Sequence, residues 1–141
     1  MARIPRLLVL ATIVSLLSAG CGSAGPEGPL ADGREVYGNI CSACHGASGQ
    51  GGIGPAFAGV LDTFASCEDH QRWISLGSDG WKSDVGTTYG DMDKEVAGGM
   101  PGHAERLTPE EIAAVAAFER SQYGGLDPDV ALVQCGFDDI P

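Results

Sequence analysis

Apolar residues recur along this chain at intervals that change character several times. Leu7 to Leu17 is nearly unbroken and apolar, follows the basic head Met1-Ala2-Arg3-Ile4-Pro5-Arg6, and gives way to Ser18-Ala19-Gly20 before Cys21. Basic head, short apolar middle and small-residue exit describe a secretory signal over residues 1–20, and the run is too short to span a bilayer comfortably as a permanent helix. Residues 21–31 are rich in Gly and Pro and read as a flexible tether. From Asp32 the pattern becomes helical: Val36, Tyr37, Ile40 and Cys44 share one face, Asp32 is placed to cap it, and a helix is expected from Asp32 to Cys44.

Gly46 to Gly59 is glycine-rich and contains Pro55, so it reads as a loop that wraps something rather than as regular structure. A second helix is expected from Ser66, with Asp69 three residues on in a capping position and Trp73, Ile74 and Leu76 on its apolar face. Gly77 to Gly90 reads as loop, and a short helix around Asp93 to Ala97 precedes Gly98-Gly99-Met100-Pro101. The last helix has the fullest set of signals. Thr108 caps it, Pro109 takes the first helical position, Glu111 completes a capping box, Ile112, Val115, Ala116 and Phe118 form its stripe, and Gly124-Gly125 stops it. The rest, to Pro141, reads as a tail. With no strand pair or internal repeat visible, the expected fold class is all-α and loop-rich, one domain over residues 32–141.

Only 6% of the 141 residues are aromatic, so a core built from protein alone would be thin; a buried apolar prosthetic group would supply the missing volume. Charge narrows the partners. Setting aside Arg3 and Arg6 of the signal leaves six of the 8 basic residues against 19 acidic ones, a formal charge of −13. That excludes nucleic acid and an anionic membrane surface as electrostatic partners and suits a protein partner with a basic docking surface, or simply solubility after export.

The cysteines carry the chemistry. Cys21 follows small residues as in a bacterial lipobox, with Ser18 where leucine is usual and Leu17 one place earlier, so it is a candidate for lipidation and hence for attachment to the membrane. Plain signal cleavage, leaving a thiol, is the competing reading. Cys41-Ser42-Ala43-Cys44-His45 has the spacing of c-type haem attachment: two thiols on one helical turn reach two vinyl groups, and the adjacent imidazole meets the iron. A thioredoxin-like redox pair would want a βαβ pattern, which is absent, and a zinc site would want two further ligands nearby. Cys67 and Cys135 are left over, and in an oxidising compartment the simplest assignment is a disulfide. Such a bridge closes a loop of about 68 residues and restrains the unfolded chain by roughly 4 kcal/mol.

From Cys41-Ser42-Ala43-Cys44-His45 through Gly54-Pro55 and Gly98-Gly99-Met100-Pro101 to the helix from Leu107 to Tyr123, the sequence resembles the class I cytochrome c family over about residues 31–123. The resemblance implies a cytochrome c fold of three to four helices around one covalent haem c. It implies that the Pro55 carbonyl accepts a hydrogen bond from the iron-ligating His45, and that Met100 is the sixth ligand. His103, Met92 and His70 are the competitors for that position. It also implies a close crossing of the first and last helices through Gly33, Tyr37, Val115 and Phe118, and a polar-donor role toward a haem propionate for Trp81 and Tyr89, for which ordinary loop packing is the alternative.

An iron filled on both sides by His45 and Met100 has no open site, so the expected role is a single-electron carrier rather than an enzyme, in an exported respiratory chain, in the periplasm or lipid-anchored at the outer face of the cytoplasmic membrane. A fixed haem c subunit of a larger oxidoreductase complex uses the same residues. A haem-based sensor or peroxidase would require that Met100 not be a stable ligand.

Overall fold

The computed structural model describes residues 28–138; the expectations for the signal over 1–20 and for Cys21 lie outside the described residues. Helix α1 spans Pro29–Val36, passes through a π-helical turn, Tyr37–Cys41, and continues as α2, Ser42–His45. It starts three residues ahead of the expected Asp32: Pro29, with its φ already set, takes the first helical position, and Asp32 lies in the first turn, where a carboxylate complements the unpaired amides. A glycine-rich loop leads to α3 (Val60–Thr63), then α4 (Cys67–Asp84), two short strands, α5 (Pro109–Gln122) and α6 (Pro128–Gln134).

The core forms where α1 crosses α5. A Cβ on Gly33 would run into the Ala114 carbonyl and stand 3.0 Å from the Phe118 Cβ, so the missing side chain is what lets the two backbones meet. Tyr37 fills the adjoining space, its ring centroid 5.7 Å from that of Phe118, and Val115 is fully buried. Ala114, Ala116 and Ala117 are buried as well, because α5 is covered on several sides, by α1, α4 and α6.

Three expectations are corrected. The region from Gly77 was read as loop, but α4 runs on to Asp84; the backbone kinks at Gly77 (φ 62°, ψ −172°) and then resumes helix because Ser78 and Trp81 extend the buried face begun by Ile74. The short helix expected at Asp93 to Ala97 is instead a hairpin, β1 (Thr88–Tyr89) antiparallel to β2 (Lys94–Glu95). Asp93 turns the chain at φ 49°, and the Lys94 ammonium donates to Thr63 Oγ1 at 2.6 Å, tying the hairpin to the end of α3. The C-terminal tail contains α6. Asp127 Oδ1 caps it by accepting from the Asp129 and Val130 amides, Pro128 opens it, and Ala131 and Leu132 bury against the core.

Candidate haem-binding site

Cys41 closes the π turn and Cys44 and His45 follow on α2, so the attachment motif lies where the helix is wound most loosely. Ser42 Oγ donates to the Gly38 carbonyl at 2.7 Å across that turn. Both thiols are half-buried, and burial, with Glu119 and Cys44 nearby, pushes the Cys41 thiol up to about 12. A redox-active Cys-x-x-Cys pair works the other way, with one thiol pulled down into a thiolate. Nor do the side chains make a zinc site: among the described residues no group of three or more His, Cys, Asp or Glu is placed to hold a metal ion.

His45 is 9% exposed, and its Nδ1 lies 2.9 Å from the Pro55 carbonyl. A carbonyl can only accept, so Nδ1 carries a proton, which in the neutral ring leaves the lone pair that a metal would take on Nε2. The wrapping loop enforces this. The Gly54 amide donates to the Cys44 carbonyl at 2.9 Å and the Gly51 amide to that of His45 at 2.8 Å, which folds the loop back over the imidazole. A Cβ on Gly54 would stand 2.7 Å from His45 Cε1, closer than side chains approach. Phe57 packs on the ring at 4.8 Å between centroids, and the Tyr37 hydroxyl donates to the Gly46 carbonyl at 2.6 Å, locking the loop to α1.

Met100 is half-buried and packs, with Cys41, Ile40 and Phe57, against the same core cluster. Its competitors stand differently. Met92 is 60% exposed in the hairpin turn. His70 is buried: its ring stacks on Phe64 at 5.0 Å, and its Nε2 lies 3.1 Å from Glu119 Oε2. His103 is buried with Nδ1 unpartnered among the described residues, and burial, with Arg106 adding like charge, holds its imidazole below the usual histidine value. Cys67 and Cys135, with Cα atoms 5.3 Å apart, are joined in a disulfide that ties the end of α6 to the start of α4.

Trp81 and Tyr89 are engaged in packing. The Trp81 indole N–H donates to the Thr88 carbonyl at 2.8 Å, and Tyr89 stacks on Trp73 with ring centroids 4.1 Å apart. The propionate-donor expectation for Trp81 therefore gives way to a structural bond within the α4–hairpin connection.

The donor set fits a haem. Two half-buried thiols three residues apart, an imidazole whose Nδ1 is engaged by Pro55 and a half-buried thioether are the donors that would hold a covalent haem, and the buried His103 Nδ1 lacks a partner among the described residues. Sequence reasoning missed Glu119 and Arg120, both 2% exposed on α5. Arg120 donates to the Phe64 carbonyl (2.7 Å), the Ala65 carbonyl (3.0 Å) and Gln134 Oε1 (2.8 Å), so one guanidinium holds the α3–α4 connection and α6 together.

A family model described as Cytochrome c matches residues 30–122. Subunit CcoP of the cbb3-type cytochrome c oxidase of Azospirillum sp. (strain B510) is 31% identical over 104 residues, which is 74% of this chain and 32% of that protein; the chain thus spans about a third of the length of this curated relative. Among solved structures, cytochrome cL from Hyphomicrobium denitrificans aligns with a TM-score of 0.48 at 19% identity, over 78% of this chain and 73% of that one. Cytochrome cL from Methylophaga aminisulfidivorans MPT aligns with a TM-score of 0.39 at 20% identity, over 80% and 69%.

Proposed function

Because this chain belongs to the cytochrome c family and carries one covalent haem c, we propose that it is a single-electron carrier in an exported respiratory chain, with Cys41 and Cys44 as the residues that would form the thioether attachments and His45 and Met100 as those that would hold the iron. The observation that carries this reading is the bond from His45 Nδ1–H to the Pro55 carbonyl, which fixes the tautomer and points Nε2 at the ligand position. When bound, the haem supplies the redox couple, its iron gaining and losing one electron without any substrate bond being made or broken. The residues do the rest. Pro55 increases the basicity of the His45 ligand, Phe57 and the α1–α5 core exclude water, and the Met100 thioether, a soft neutral donor, favours the ferrous state and raises the potential.

Two measurements test it. Haem must remain with the polypeptide through acid–acetone extraction; its loss would end the covalent assignment to Cys41 and Cys44. Met100→Ala must convert a six-coordinate, low-spin spectrum to one with an exchangeable sixth position; an unchanged spectrum would remove Met100 from the iron.

The leader over residues 1–20 and the lipobox-like approach to Cys21 support export and lipid attachment, in the periplasm or at the outer face of the cytoplasmic membrane. Cys21→Ser should then move the haem protein from the membrane to the soluble fraction, with loss of the lipid mass from the mature N-terminus. The Cys67–Cys135 bridge suits that oxidising location. The likeness to an oxidase subunit favours one second reading, a fixed haem c subunit of a larger complex. Stable comigration with other subunits after gentle solubilisation would support it against the free carrier.

A further inference from the structure

The segment that carries Met100 is held by the kink in α4. In an unbroken helix the Ser78 amide would donate to the Ile74 carbonyl. At Gly77 the backbone leaves helical geometry, and the freed groups pair across to the Met100 segment instead. The Ser78 amide donates to the Met100 carbonyl at 2.9 Å, while Ser78 Oγ accepts from the Met100 amide at 3.1 Å. The carbonyls of Ile74 and Ser75 accept from the His103 amide, both at 3.1 Å, and that of Ser75 also accepts from Ala104 at 3.3 Å.

Ser78 thus brackets one residue, holding its N–H through a side chain and its C=O through a backbone amide, and this fixes the direction in which the Met100 Cα–Cβ bond leaves the chain. The contact tolerates no side chain at the kink. A Cβ on Gly77 would stand 2.6 Å from the Met100 carbonyl oxygen and closer still to Pro101 and Gly102, and one on Gly102 would stand 2.7 Å from the Leu76 carbonyl oxygen. Ser78 is 3% exposed, so water does not compete for the bracket. Just upstream, Gly98 and Gly99 are exposed and both have positive φ, so the loop itself brings little stiffness to the ligand.

We propose that Ser78 is a positioning residue for the sixth haem ligand, and that the Gly77–Ser78 bracket sets how readily a small neutral donor such as imidazole displaces the Met100 thioether. The inference rests on Met100 being that ligand. Displacement requires the Met100 segment to swing away, and the bracket adds the loss of two sheltered hydrogen bonds to that motion. Ser78→Ala removes one of them and leaves the backbone amide in place.

The test is imidazole binding to the ferric, haem-loaded protein, followed by the loss of thioether-to-iron absorption. Ser78→Ala should bind imidazole about tenfold more tightly than wild type, equivalent to about 1.4 kcal/mol. Ser78→Thr, which keeps the hydroxyl, should stay near wild type. A merely structural Ser78 would lower the melting temperature without moving imidazole affinity. Ser78→Ala within about twofold of wild type overturns the proposal, provided that Met100→Ala binds imidazole far more tightly. If Met100→Ala also binds like wild type, the axial assignment has failed instead. Should Ser78→Ala not fold, amide exchange in the wild-type holoprotein decides: a Met100 N–H much slower than that of Gly99 supports the bracket, and one exchanging as fast overturns it.

Discussion

Single side chains at this site act by permitting or forbidding an orientation. Gly54 is the sharpest case: the methyl group of Gly54→Ala would meet the His45 ring at Cε1, Nδ1 and Nε2, at 2.7, 2.9 and 3.0 Å. The ring or the loop must give way, at a cost of about 1–3 kcal/mol. The variant should hold less haem per polypeptide and should melt earlier than wild type. Haem absorbance against protein mass gives the first quantity and thermal unfolding the second; a fully loaded variant of unchanged melting point would show that the loop yields freely. Arg120 makes the opposite argument, as a residue that must be present. Arg120→Met strips donors from the Phe64 and Ala65 carbonyls and from Gln134; the Phe64 acceptor is buried and is left unpaired at a cost of about 1–3 kcal/mol, while the other two, partly open to water, cost less. Denaturant unfolding should show a loss of about 1–3 kcal/mol, with the visible spectrum of the surviving folded protein unchanged. In sequence Glu119-Arg120 looks like the solvated end of an amphipathic helix, since nothing local announces that a second helix, α6, will cover it.

At the scale of elements, the disulfide isolates one contribution cleanly. Cys67 opens α4 and Cys135 follows α6, 68 residues apart, so the bridge anchors the last helix to the middle of the chain. Replacing both cysteines by serine should reduce unfolding free energy by about 4 kcal/mol on the loop-entropy view while leaving the haem absorption in place, because α6 packs on α5 and α1 and carries none of the candidate haem-binding residues. Equal stability of the two forms in a denaturant series would mean that Arg120 and Leu132 already hold α6 unaided. These elements also show what a sequence can reveal. The α5 boundaries were legible because Thr108, Pro109 and Glu111 are chemical instructions read within four residues, and the capping box is present as written. The His45–Pro55 bond was expected only through the resemblance to the cytochrome c family, and the two groups do lie 2.9 Å apart. The extension of α4 beyond Gly77 and the hairpin at residues 88–95 were not legible, since both depend on partners distant in sequence: the Met100 carbonyl that receives the Ser78 amide, and the Thr63 hydroxyl that receives Lys94. Helix α6 was legible in principle, as Asp127-Pro128 is a cap followed by a first-turn proline, but seven residues have too short a pattern to stand out from a tail.

For the whole molecule the governing quantity is charge. The chain carries 19 acidic residues against 8 basic ones, a net charge of −11. Asp32 and Glu35 on α1 face Glu110 and Glu111 on α5 across a groove whose floor includes Ile40, the residue before Cys41, with Arg106 as the basic group on its wall. With the haem attached at Cys41 as proposed, an electron leaving it would do so beside a negative field, which draws in cationic partners and repels anionic ones. The expected signature is kinetic. Oxidation of the reduced protein by a small cationic metal complex should slow on the order of tenfold as salt is raised from low ionic strength through the physiological range, because the attraction is screened over about 10 Å at 0.1 M. With an anionic complex of similar potential the slope should reverse sign, since the same salt now screens a repulsion. Glu35→Lys together with Glu110→Lys should flatten both slopes without changing the haem spectrum, as both side chains are exposed, on α1 and α5. Stopped-flow traces at a series of salt concentrations decide the matter: identical slopes for the two reagents would mean that the acidity serves solubility alone, and unchanged slopes in the double variant would move the docking field away from the α1–α5 groove.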